Sequence, residues 1–118
     1  MAVADVQFVV LDANDPDTLS AFWCEVLGTE EDVRVGGDAF VLLKATANAA
    51  PLALQKVGDG KAGKNRMHLE LVAQDLDAAV ARVHQLGGKT LREAQELEGY
   101  TWVNMADPEG NEFDLAKA

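Results

Sequence analysis

RMHLELVAQDLDAAVARVHQLGG, residues 66–88, reads as a β-strand running directly into a helix. Across 67–73 the residues alternate, with Leu69 and Leu71 on one face and His68, Glu70 and Val72 on the other. Asp75 is suited to cap the helix, because its carboxylate can accept from the unpaired amides of the first turn. Leu76, Ala79, Val80, Val83 and Leu86 then form one apolar stripe, and Gly87-Gly88 ends the helix.

The same grammar occurs earlier in the chain. Val6–Asp12 reads as a strand on the strength of Val6, Phe8, Val9 and Val10. Asn14-Asp15-Pro16-Asp17 is a helix start: Asn14 or Asp15 caps, Pro16 presets φ, and Asp17 favours the positive helix end. Leu19, Phe22, Trp23, Val26 and Leu27 make the buried stripe, with Phe22 and Trp23 expected in the core, and Gly28 terminates it. Phe8 and His68, Asp15 and Asp75, Asp17 and Asp77, and Gly28 and Gly88 are all separated by the same 60 positions.

Working outward, each helix is followed by three strand candidates. In the first half these are 33–35, 39–44 beyond a Gly36-Gly37 turn, and 52–57 after a small-residue loop at 45–50. In the second half they are 89–94, 100–105 and, after the turn Asp107-Pro108-Glu109-Gly110-Asn111, 112–116. Strand, helix, three strands thus appears twice, the mark of a duplicated unit. The expected fold is α+β: two βαβββ modules forming a curved mixed sheet with the helices outside, module 1 at about 1–57, a linker at 58–65 and module 2 at about 66–118. The linker invites a phosphate-loop reading through Gly58 and Gly63-Lys64. Asn65 stands where a magnesium-binding hydroxyl belongs, and a strand follows where a helix is required, so that reading fails.

Composition narrows the class. Hydrophobic residues make up 48% of the 118, enough for one globular domain. No apolar run approaches a membrane span, and the start of the chain has no basic segment followed by a long apolar one, so neither a membrane partner nor a signal peptide is expected. The net charge of −10 repels phosphate backbones and argues against nucleic acid. One cysteine, Cys24, cannot form an internal disulfide, and the expectation is a reducing cytoplasm. Cys24 has no histidine near it in sequence and is not read as a nucleophile; His84 is read as a surface residue. The basic cluster Lys56, Lys61, Lys64 and Arg66 either greets an anionic ligand or is solvated linker, and the second reading is preferred.

Three stretches resemble the vicinal oxygen chelate superfamily, the glyoxalase, bleomycin-resistance and extradiol dioxygenase group, and its glyoxalase-like branch in particular. They are Asp15-Pro16 through Phe22-Trp23 to Leu27-Gly28; Lys64 to Leu71 leading into Asp75-Leu76-Asp77; and Asp107 to Phe113. The resemblance implies a small-molecule cleft, and in many members a divalent metal with one ligand from the first and last strand of each module. Those positions here are Phe8, Ala53 or its face-mate Gln55, His68 and Asp114. Only His68 and Asp114 are ordinary ligands, so the metal set implied is incomplete. Glyoxalase I chemistry needs both a metal and a carboxylate base, and ring-opening dioxygenases need two histidines and a carboxylate on iron.

His68 admits three readings: a cavity histidine paired with Asp114 or Glu70, an acid/base catalyst working with Asp114, or a metal ligand. Trp102 shares a strand face with Tyr100 and Asn104 and is read either as a stacking platform or as a half-buried contact residue. The site expected from the sequence is therefore His68 and Asp114 as catalytic and metal-ligating pair, with Phe8, Gln55, Glu70 and Trp102 around the ligand. Three functions follow: a glyoxalase-like enzyme of lyase or isomerase type on a small metabolite, a metal-free protein that sequesters a flat or cationic small molecule, or a scaffold whose cleft no longer has a ligand. A homodimer is expected, because a small open sheet gains by covering its edges.

Overall fold

The structure, a computed structural model, describes residues 2–3, 5–47 and 49–118. Met1 and Ala4, part of the expected N-terminal reading, and Asn48 in the expected 45–50 loop lie outside the described residues. The chain divides into two compact units, Met1–Gly60 and Lys61–Ala118.

In the first unit β1 (Val9–Ala13) leads into α1 (Pro16–Leu27), then β2 (Glu31–Val35), β3 (Phe40–Leu43) and β4 (Leu52–Lys56). The sheet order is β1-β4-β3-β2, with β1 and β4 parallel and the other neighbours antiparallel. Asp15 caps α1 by accepting from the Thr18 amide, Pro16 occupies the first turn, and Gly28 closes the helix at φ +65°. Leu19, Phe22 and Trp23 are buried as the stripe requires, and the two rings meet edge to face at 5.1 Å. Val41, Leu43, Leu52 and Leu54 are buried in the sheet of the same unit.

The second unit repeats the order: β5 (Leu69–Ala73), α2 (Leu76–Gln85), β6 (Lys89–Leu97), β7 (Tyr100–Ala106) and β8 (Glu112–Lys117), in a sheet ordered β5-β8-β7-β6. Here β5 and β8 are the parallel pair. Asp75 caps α2 through the Ala78 amide, and Val83 is the buried centre of its stripe. The Asp107 turn is built around a fully buried carboxylate, which accepts from the amides of Glu109 and Asn111 and from Asn111 Nδ2. The α+β class and the two βαβββ modules stand; the hydrogen bonding assigns each module its own four-stranded sheet.

Several element bounds differ from the sequence expectation. The first strand begins at Val9 rather than Val6, and the fifth at Leu69 rather than Met67, so His68 sits just before its strand. The strand expected at 33–35 starts at Glu31. The strand expected at 89–94 runs on to Leu97, which pairs with Tyr100, and its register shifts between Thr90 and Arg92 and again between Arg92 and Gln95. Such bulges break the two-residue alternation by which a strand is recognised. Lys61 and Lys64 both pair with Glu112, and Asn65 donates its amide to the same carboxylate, so this part of the expected solvated linker is tied to β8.

Candidate functional site

Register places the site. Across the second sheet, Glu70 on β5 lies opposite Asp114 on β8, Asp114 opposite Asn104 on β7, and Asn104 opposite Arg92 on β6. One row of polar residues therefore crosses all four strands. His68, just before β5, reaches into the same row: its Nε2 lies 3.1 Å from Asp114 Oδ2 and 3.3 Å from Glu70 Oε1.

Both carboxylates are held from behind. Asn104 Nδ2 donates to Asp114 Oδ1, and Asn104 is itself oriented by Gln95, whose Nε2 donates to its Oδ1 at 2.9 Å. Asp114 is buried, so a hydrogen bond from a neutral amide and an imidazole at its other oxygen are what make a carboxylate tolerable there. Tyr100 donates its hydroxyl to Glu70 Oε2 at 2.8 Å, and that bond to an anion raises the phenol's pKa above its ordinary value. Tyr100 also lies beside Trp102, ring centroids 5.6 Å apart and tilted by 36°, forming an aromatic wall.

These groups line one cleft of about 570 Å³ in the second unit, within the size range of small-molecule sites. Its apolar part comes from Leu91, Leu97, Tyr100 and Trp102; Lys64 and Glu112 close another side. Glu112 is held below the usual carboxylate range first by the Asn65 amide and then by Lys64.

Of the residues singled out in the sequence, His68, Glu70, Trp102 and Asp114 come together in this cleft. Phe8 and Gln55 belong to the first unit, where Phe8 is half-buried just before β1 and Gln55 is half-buried on β4 opposite Phe40 and Asp12. Sequence reasoning missed Arg92 and Gln95 altogether. The bulges that bring both of them to the cleft leave no alternation to read. Asn104 and Tyr100 were legible only as face-mates of Trp102. Cys24 is half-buried, and burial pushes its thiol pKa up, which fits an inert side chain. His84 is exposed and bonds to Thr90 at 2.8 Å.

The donor set admits a divalent cation. One ligand atom from each of His68, Glu70 and Asp114 lies within 4.8 Å of the others. Ligand atoms around a metal at about 2.1 Å are themselves roughly 3.0–3.4 Å apart, comparable to the imidazole-to-carboxylate separations here. The structure thus adds Glu70 to the His68–Asp114 pair that the sequence supplied.

A family model for a glyoxalase-like domain matches residues 8–116, nearly the whole chain. This chain belongs to the glyoxalase-like domain family. Solved structures agree on the glyoxalase-like fold. A glyoxalase/bleomycin resistance protein/dioxygenase family enzyme from Burkholderia phytofirmans superposes with a TM-score of 0.82 at 18% identity, covering 97% of this chain and 98% of that one. Lactoylglutathione lyase from Agrobacterium tumefaciens gives 0.69 at 21% identity, covering 99% and 96%. The fosfomycin resistance protein FosX from Mesorhizobium loti gives 0.75 at 16% identity, covering 100% and 94%. No curated protein sequence matches the chain. At these identities the structural likeness speaks for the fold, and the chemistry must be argued from the cleft.

Proposed function

We propose that this glyoxalase-like protein binds a small metabolite in the cleft of its second unit and acts on it as a lyase or isomerase. The observation that carries the reading is one imidazole nitrogen within 3.3 Å of two carboxylates, beside a tilted pair of aromatic rings. His68 and Asp114 exchange a proton with the bound molecule: Asp114 stabilises the imidazolium after His68 takes the proton, and His68 returns it at the neighbouring atom. Asn104 keeps Asp114 aimed, and Tyr100 fixes Glu70. A divalent cation would replace that proton exchange: His68, Glu70 and Asp114 would then serve as its ligands, and it would polarise an oxygen of the bound molecule. The setting proposed is a reducing cytoplasm, in which the single Cys24 remains a thiol.

Metal-free sequestration is the second reading, and the Tyr100–Trp102 wall is what favours it, since aromatic side chains lining a cleft bind flat molecules without chemistry. Metal analysis of untagged protein, together with metal binding by His68→Ala, separates the two. The enzyme reading expects a stoichiometric divalent metal in the wild type, lost in His68→Ala at unchanged melting temperature. A protein that takes up no zinc, manganese, nickel or iron, is stabilised by flat aromatic compounds and releases them chemically unchanged supports sequestration. Wild-type metal and ligand binding by His68→Ala would remove the residue from any functional role.

A further inference from the structure

Arg92 stands at the far end of the polar row, on β6, two strands from Asp114. Neighbouring strands lie about 4.8 Å apart, so its backbone is roughly 10 Å from that of Asp114. It lines the same cleft. The other cation there, Lys64, is engaged by Glu112 at 3.0 Å, whereas among the described residues no hydrogen bond or ion pair engages Arg92. Arg92 is exposed, so its guanidinium stays open to a ligand entering the cleft. The register shifts on either side of Arg92 are what bring both it and Gln95, three positions on, to the cleft. Bulges re-aim side chains in this way beside binding sites.

We propose that Arg92 is a specificity residue: its guanidinium receives an oxyanion, a carboxylate or a phosphoryl group, at the end of the ligand away from His68 and Asp114. The planar fork of five donors suits a two-oxygen anion, which a lysine cannot match. In the metal-free cleft the opposite end carries Glu70 and Asp114, so an anion is attracted to Arg92 and repelled from the carboxylates, which orients the molecule. The aromatic pair at Tyr100 and Trp102 lines the same cleft and offers the ligand an apolar face. The ligand class is therefore a short acidic metabolite with its reacting carbon several bonds from its anionic group.

This inference rests on the cleft being the binding site, and the test separates the two. Protein dialysed against EDTA is titrated with phenylacetate, phenyl phosphate, benzyl alcohol and benzyltrimethylammonium, with tryptophan fluorescence and melting temperature as readouts; Trp102 lines the cleft and Trp23 is buried in the core. At least one of the two anions is expected to bind more tightly than the alcohol. Arg92→Ala should weaken that anion by about tenfold to a hundredfold and leave the alcohol unchanged, and Arg92→Lys should fall between. The preferred anion distinguishes a carboxylate from a phosphoryl ligand. Anion affinity unchanged in Arg92→Ala, or tighter binding of the quaternary ammonium, overturns the inference and leaves the cleft standing. Failure of all four compounds to bind overturns both.

Discussion

Ser20, buried in α1, donates a 2.5 Å hydrogen bond to Glu31 Oε2 on β2, and Arg34 donates to both oxygens of that carboxylate at 2.9 Å. Arg34 also meets Asp17 on α1 at 2.7 Å, so one acidic side chain and one guanidinium tie helix to edge strand. The guanidinium first, and then Ser20, lowers the Glu31 pKa to about 2 from 4.5, and the carboxylates in return push that of Arg34 up. A carboxyl depressed on folding contributes stability above its unfolded pKa and loses that contribution as pH falls toward the folded value. The melting-temperature advantage of wild type over Glu31→Gln should therefore be constant above about pH 5 and shrink steadily from pH 4.5 down to 2. A difference independent of pH in that window would mean that the carboxylate charge contributes nothing.

Two glycines that occupy equivalent places in the repeat have different physical jobs. Gly28 is left-handed at φ +65°, and a Cβ there would meet nothing within 4 Å. Gly88 has no such backbone demand; a Cβ on it would lie 2.5 Å from Val83 Cγ1 and 2.8 Å from the Ala106 carbonyl oxygen. In α2 the positive φ has moved to Gly87, at +102°, because the helix caps at Leu86. Gly28→Ala should cost about 1 kcal/mol through backbone strain, and Gly28→Asn should recover part of it. Gly88→Ala should cost about 2–3 kcal/mol through overpacking, and Gly88→Asn should be worse still. Urea denaturation of the four variants checks this; asparagine helping at both positions, or at neither, would contradict the distinction.

At the scale of the molecule, each unit presents an open four-stranded sheet with two edges. In the first sheet Val10, Val33, Val35 and Phe40 are exposed, between neighbours such as Val41 and Leu54 that are fully buried. Exposed apolar rows on an open sheet favour a second copy as cover, and a homodimer is our proposal for the assembly. Light scattering of purified protein should give twice the chain mass, and Val33→Lys with Val35→Lys should shift it toward the monomer. A monomer at all concentrations would remove the proposal. Among the described residues, no helix is long and apolar enough to cross a membrane.

The local rules legible in sequence were those that act within a few residues. Caps at Asp15 and Asp75, the apolar stripes of both helices and the glycine turns each depend on neighbours in the chain, and their recurrence 60 positions on was enough for two βαβββ units. His68 and Asp114 stood out because they are the ordinary ligands at the positions the family resemblance marks, and Trp102 because an aromatic side chain on a strand face can stack on a ligand. What only the folded structure decided was strand register. A register shift moves every side chain's partner at once, and nothing in the residues 89–97 announces where the bulges fall. Register set Glu70 against Asp114 and Asn104 behind it, and it carried Arg92 and Gln95 into a cleft to which their own sequence neighbourhood gave no pointer.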